Sequence, residues 1–332
     1  MRVSVATVAE FVERVGPAYL DIVQGPPDEP ASLEIDLAPG DYRAANFSVG
    51  DPLDRRAIDI VIRGADAARP PVLTDMSLRL TGDRVRLEQL IFAGRVDHLP
   101  VVSVTAGQSL TIDGCAWLGN QVRMPPDGRL LEVIAQNPQG ATAVAIRHTW
   151  FVRNWAPDGQ AVLVGVTNPP YYFQRIGFER VAFLDNHGAV GIVPHATAAL
   201  DFADCVVVQA GAGADPPAAL AAVTSPGTQL TIERSLLVAE GLAGLVTRWS
   251  PRQPSASAFQ AVTISHSEVV LCDPAARRDG DEGMRLHDTE VRLASAAGAA
   301  ALVAAIDACA AEVERGSIPN LVTLRAAIAA AI

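Results

Sequence analysis

"VAIRHTWFVRN" (residues 144–154) packs a histidine, a tryptophan and two arginines into one short stretch of a 332-residue chain that has only six histidines and four tryptophans. Taken alone it reads as a reactive site. Six other stretches line up with it: "VRLEQLIFAGR" from Val85, "LTIDGCAWLGN" from Leu110, "IGFERVAFLDN" from Ile176, "LDFADCVVVQA" from Leu200, "LTIERSLLVAE" from Leu230 and "VTISHSEVVLC" from Val262. The starts fall 24 to 34 residues apart. The first and third positions are apolar in every copy, which is the period of a strand with one buried face. The sixth is mostly small or β-branched, as at Cys115, Thr149, Cys205, Ser235 and Ser267. The eighth is always apolar: Phe92, Trp117, Phe151, Phe183, Val207, Leu237, Val269.

Seven copies of strand, tight turn, strand imply stacked coils, because one coil cannot bury its apolar face alone and a neighbour about 4.8 Å away completes both core and hydrogen bonding. Val144, Ile146, Thr149 and Phe151 then face the core. His148 shares a column with Gln89, Gly114, Arg180, Asp204, Arg234 and His266, a scatter that a solvent-exposed turn tolerates. Trp150 is expected to face outward, partly covered. Asn120, Asn154 and Asn186 stack in a column where a left-handed turn residue is expected. A third strand precedes each block, as in "VVSVTA" (101–106), "LLEVIAQ" (130–136), "AVLVGVT" (161–167) and "AVGIVPH" (189–195).

The chain ends read differently. Thr7 and Glu10 have capping-box spacing, and Val8, Phe11, Val12 and Val15 share a helical face, giving a capping helix within residues 1–16. The repeat region occupies 17–291. Residues 292–332 form a helical segment of two Ala-rich helices, 296–315 and 318–332, with Gly316 stopping the first and Ser317 and Pro319 starting the second. The expected fold class is an all-β solenoid, a right-handed parallel β-helix with an N-terminal helical cap and C-terminal α-helices.

Net charge is −11, which disfavours nucleic acid or an anionic membrane as partner. No run approaches the roughly 18 apolar residues of a membrane span, and the N-terminus lacks a signal-length apolar stretch. Cys115, Cys205, Cys272 and Cys309 lack metal-type spacing, so they are expected to be reduced structural thiols in a cytoplasmic protein without metal or cofactor. The chain contains no lysine against 26 arginines, so no lysine can act as base, Schiff-base former or phosphate ligand.

"LEIDLAPGDYRA" (33–44) and "IDIVIRGADAARPPVLTDMSLRLTGDRVRLEQLIFAG" (58–94) carry, in order, a Pro-Gly-x-Tyr turn, an Ile-Arg-Gly strand end and a Leu-x-Phe turn. This resembles the start of right-handed parallel β-helix proteins of the pectin-lyase-like superfamily, in particular the alginate lyase and chondroitinase B group. The resemblance spans roughly residues 7 to 275 and implies the fold strongly and an activity weakly, since one fold hosts many activities. It implies a lyase that removes the proton α to a uronate carboxylate, with a lysine base, an arginine and calcium-binding acids. Residues 158–197 have that rhythm but not that chemistry: there is no lysine, Gln160 and aliphatics stand where carboxylates are expected, and "GIVPHAT" offers His195 but no arginine.

Alternation points Ile134, Gln136, Leu163, Thr167, Val193, His195, Val223 and Ser225 outward on the third strand, a largely aliphatic face expected to be covered by the C-terminal helices or by a partner. At its edge, Thr167, Tyr171, Tyr172 and Arg175 with Arg248, Trp249 and Arg252 could grip an anionic or sugar-like ligand, with His195 as candidate catalytic acid/base. The expected function is a non-catalytic cytoplasmic scaffold or binding protein with a protein partner or homo-oligomeric state. The alternative is an enzyme acting on a carbohydrate or other small cyclic substrate.

Overall fold

The computed structural model describes residues 1–26, 31–43, 46–50, 57–97, 99–122, 130–137, 141–155, 173–186, 190–192, 197–208, 221–223, 228–239, 246–248, 259–272 and 284–331. Two long parallel sheets dominate. The larger has 13 strands among the described residues; eleven run in chain order from Arg2–Val5 through Ala31–Leu37, Ile58–Gly64, Ser77–Glu88, Val102–Asp113, Thr142–Arg147, Phe173–Glu179, Thr197–Ala203, Thr228–Glu233 and Phe259–Ser265 to Met284–His287, while Asn46–Val49 and Leu131–Ala135 pair onto Ser77–Glu88 and Val102–Asp113 beside this path. The second has 10 short strands, among them Ile91–Ala93, Ala116–Leu118, Trp150–Val152, Ala182–Leu184, Val206–Val208, Leu236–Ala239, Glu268–Leu271 and Glu290–Leu293. Val190–Ile192, Ala221–Val223 and Val246–Arg248 form a third, three-stranded parallel sheet. This mostly-β architecture of parallel sheets, with three helices among the described residues, is compatible with the stacked coils expected from the repeat.

Register follows the repeat position by position. Leu110, Val144, Ile176, Leu200, Leu230 and Val262 pair in sequence along the long sheet. The eighth-position aromatics stack in the core, Phe92 on Trp117 at 4.7 Å, Trp117 on Phe151 at 4.9 Å and Phe151 on Phe183 at 5.2 Å between ring centroids. Parallel in-register strands force like residues into columns, and flat rings use the strand spacing for offset stacking. Thr149, Cys115, Cys205, Ser235 and Ser267 are buried in the sixth column, and each donates back to the carbonyl two residues earlier, as Thr149 Oγ1 does to Arg147 O at 2.6 Å.

The left-handed residues sit one step away from where the asparagine column suggests. Gln89, Gly114, His148, Arg180, Asp204, Arg234 and His266, the fifth position throughout, have φ between +46° and +60°. A second left-handed column comprises Gly94, Gly119, Arg153 and Asp185, each immediately before the inward-turned residue. The asparagines themselves point into the protein. Asn120 is 0% and Asn154 1% exposed, and their amides form a ladder: Asn120 Nδ2 to Asn154 Oδ1 at 3.0 Å and Asn154 Nδ2 to Asn186 Oδ1 at 2.9 Å. Buried Arg95 ends the ladder, its backbone N–H donating to Asn120 Oδ1 at 3.1 Å.

Three helices are seen among the described residues. Helix α1 spans Val8–Val23, longer than the expected cap, and is preceded by a strand at Arg2–Val5. Thr7 caps it, accepting from Glu10 N at 3.1 Å. Its buried face is Phe11, Val15, Ala18 and Ile22; Val12 is 62% exposed and lies on the solvent side. Helices α2 (Ala296–Glu314) and α3 (Leu321–Ala331) follow the last strands. Gly316 at φ +79° ends the first, but Asn320 caps the second, its Oδ1 accepting from Val322 N at 2.9 Å.

These two helices cover the outer face of the second sheet. Leu302, Ile306, Cys309, Ala310, Val313, Leu324 and Ile328 pack on Ile91, Ala116, Leu118, Trp150, Val152, Ala182, Leu184, Val206, Val208, Leu236, Val238 and Val270. Trp150 does face outward, but it is 1% exposed beneath this cover, not partly covered. The middle strands of the second sheet are thus buried on both faces, which is why they read as uninterrupted apolar triplets such as "WFV" and "VVV". No described helix is long and apolar enough to cross a membrane.

Candidate functional site

The strands of the long sheet put their second-face side chains on the molecule's exterior. Along adjacent strands the outward positions read Ser109, Thr111, Asp113; Ala143, Ala145, Arg147; Arg175, Gly177, Glu179; and Ala199, Asp201, Ala203. The middle of this face is floored by small residues, and longer side chains stand at its borders. The result is a cleft of about 310 Å³ lined by Ser109, Thr111, Ala143, Ala145, Arg147, Arg175, Gly177, Glu179, Asp201 and Ala203. Gly177 leaves the floor low: a Cβ built there would meet nothing nearer than 3.9 Å.

The charges around the cleft are joined across strands. Arg175 Nε donates to Asp201 Oδ2 at 2.6 Å, and Arg147 Nε lies 3.4 Å from Glu179 Oε2. At the adjoining turns His148 Nδ1 lies 2.8 Å from Asp113 Oδ1, and Arg234 makes a two-pronged contact with Asp204 at 3.0 and 3.1 Å. Such exposed pairs stabilise by only about 0–1 kcal/mol each. They do, however, neutralise the face and hold its side chains in place. The Arg175 side chain is still 66% exposed, so the guanidinium can meet a ligand while bound to Asp201.

A second, wider cleft of about 630 Å³ lies at the start of the long sheet, between the first strands and the N-terminus of α1, lined among others by Arg2, Glu10, Arg14, Asp36 and Arg63. Asp36 is 5% exposed; Arg63 Nε donates to it at 2.7 Å, and Arg2 binds its other oxygen. Burial alone would raise the Asp36 pKa, but the hydrogen bonds and charges of Arg2 and Arg63 outweigh it and hold the carboxyl below its ordinary value. Arg63 Nη2 also reaches Glu34 at 2.9 Å, and Arg14 Nη1 donates to Ser4 O at 3.1 Å. This cleft too is a network of paired charges.

Of the residues singled out in the sequence, the structure places Arg175 in the first cleft and Arg248 on the backbone of the third sheet. Thr167, Tyr171, Tyr172, His195, Trp249 and Arg252 lie outside the described residues, as does the side chain of Arg248. Sequence reasoning passed over both clefts. The signal was available: the outward positions of the seven-copy alignment turn from charged to small between Thr111 and Gly177, and Asp36 and Arg63 sit at equivalent strand ends.

The buried thiols are structural. Burial pushes Cys115 and Cys205 up to about 12 and Cys309 up to about 11, far from the thiolate that nucleophilic or redox chemistry needs. Among the described residues no group of three or more His, Cys, Asp or Glu side chains comes together to hold a metal. No family model and no curated protein matches the chain.

Proposed function

We propose that the chain is a right-handed parallel β-helix of the pectin-lyase-like kind that acts as a non-catalytic cytoplasmic scaffold or binding protein. The fold part of this reading is supported by strands that follow chain order across each long sheet, and by the resemblance of residues 7 to 275. The functional part is carried by one observation. The charged side chains on the outer face of the long sheet are held in cross-strand pairs, above all Arg175 with Asp201, around a floor of small residues. Such a face offers shape and a neutral polar rim, not a base poised beside an oxyanion donor. The lack of any lysine removes the base that the related lyase chemistry requires.

The test is direct. The purified chain is incubated with alginate, chondroitin sulfate and polygalacturonate in the presence of calcium, and unsaturated uronate is followed by its ultraviolet absorbance. No product is expected; its formation at a rate above a heat-treated control would refute the reading.

The enzyme alternative draws on the exposure of Arg175 at the cleft rim, which follows residues 167–172 closely in the sequence. It casts His195 as general acid/base and Arg175, Arg248 or Tyr172 as substrate-orienting groups. Turnover of any screened cyclic substrate that His195→Ala abolishes, and Arg175→Ala impairs through KM, would establish it.

A further inference from the structure

The two ends of the stacked strands are finished differently. At the first, α1 lays Phe11, Val15, Ala18 and Ile22 over the core, all at most 8% exposed. At the other, Met284–His287 and Glu290–Leu293 are the terminal strands of the two long sheets, each paired on one side only among the described residues. The inward columns run out to solvent there. Val262, Ile264, Val269 and Leu271 are at most 5% exposed, yet Leu286 and Leu293, registered onto Ile264 and Leu271, are 39% and 48% exposed. Helix α2 begins just beyond this end and runs back along the second sheet to the Ala116–Leu118 strand, with Asp307 bound by Arg153.

Among the described residues nothing pairs with the outer side of this edge. Glu290 N and Ala294 N donate backward to Ser267 O and Leu271 O at 3.0 and 2.9 Å, so strand alternation turns the N–H and C=O of Val291 and Leu293 toward the free side. Neither strand carries a proline or an inward charge; the charges they do carry, Arg285, Glu290 and Arg292, stand on the outward faces.

We propose that this end, Met284–His287 with Glu290–Leu293, docks a second copy of the chain, end against end across a twofold axis. Two features select that occupant. The α1 plug closes the opposite end, so head-to-tail stacking is blocked and the contact must be isologous and closed. The edge is also complementary to itself: an antiparallel pairing centred on Val291 exchanges its free N–H and C=O with the same residue, and sets Glu290 of each copy opposite Arg292 of the other. The inference stands apart from the binding reading of the cleft and does not depend on it.

The experiment is the solution mass of the full chain by analytical ultracentrifugation at micromolar concentration. The wild type is expected to be a dimer. Leu286→Glu with Leu293→Glu, both at already exposed positions, should reduce it to a monomer with an unchanged circular dichroism spectrum and melting midpoint. Val12→Glu with Leu20→Glu, exposed on α1 at 62% and 55%, should leave the dimer intact. A monomeric wild type, which would follow if other residues of the same chain cover the end, overturns the proposal. So does a dimer that survives the Leu286/Leu293 change or is lost with the α1 change.

Discussion

Asn120 and Asn154, 34 residues apart in sequence, share a buried hydrogen bond of 3.0 Å between Nδ2 and Oδ1, and Asn154 extends the same bond to Asn186 at 2.9 Å. Each amide also donates to a core backbone carbonyl, Asn154 to Trp117 O at 3.0 Å. The ladder thus ties the inner turns together while satisfying backbone groups that the bend removes from the sheets.

Asn154→Ala should therefore cost about 3 kcal/mol, since it strands a buried donor on Asn120 and a buried carbonyl on Trp117. Urea unfolding followed by circular dichroism measures this. A loss under about 1 kcal/mol, typical of a surface change, would mean that the ladder does not form.

His148 and Arg180 occupy left-handed turn positions at φ +46° and +53°. A non-glycine residue there is strained by about 1–2 kcal/mol. Arg180→Gly is expected to stabilise the protein by roughly 1 kcal/mol, and His148→Gly by less, because it forfeits the 2.8 Å contact with Asp113. Thermal unfolding checks both. Neither change should impair any binding activity, which is the prediction that separates a turn residue from a chemical one.

Asp36 gives the stability of the first cleft a pH dependence. Its folded-state pKa lies below its unfolded value of about 3.9. The stabilisation is therefore fully present above pH 4 and is lost as pH falls through the lower folded value. Urea unfolding of wild type and Asp36→Asn should differ most near neutrality and converge in acid. A difference that grows as pH falls would reverse the assigned shift.

Thiol reactivity follows burial. Cys272 is exposed, whereas Cys115, Cys205 and Cys309 are buried with raised pKa values. In the native protein one thiol should react with an aromatic disulfide reagent within minutes at about pH 8, and all four only after denaturant. Rapid native reaction of Cys115 or Cys205 would place them outside the core.

Much of this structure is legible in the sequence because a stacked strand writes its inward face at every second residue. Val144, Ile146, Thr149 and Phe151 are all within 3% of full burial, as their columns imply. The asparagine column is equally visible, but its reason is not. A left-handed residue and an inward amide one step later leave similar traces when both favour Asn, Asp or Gly, so only φ separates Arg153 from Asn154. The destination of α2 and α3 was written too, in triplets such as "WFV" and "VVV" that are apolar on both faces, while the aliphatic third strand drew attention elsewhere. The cleft at Gly177 leaves its trace only along one outward column, where Arg86 gives way to Thr111, Ala145 and Gly177, and not in the periodicity of any single strand.

Parallel, in-register stacking is the claim on which the columns, the cleft and the open end all depend. Cysteines introduced at Thr231 and Thr263, outward partners on adjacent strands of the long sheet, test it most directly. Their Cα atoms should lie about 4.8 Å apart, within disulfide range, so the pair is expected to oxidise readily to an intramolecular bridge seen by peptide mapping. A pair offset by two residues, at Thr231 and Ser265, should not bridge. Failure of the first pair, or equal bridging by both, would contradict the stacking.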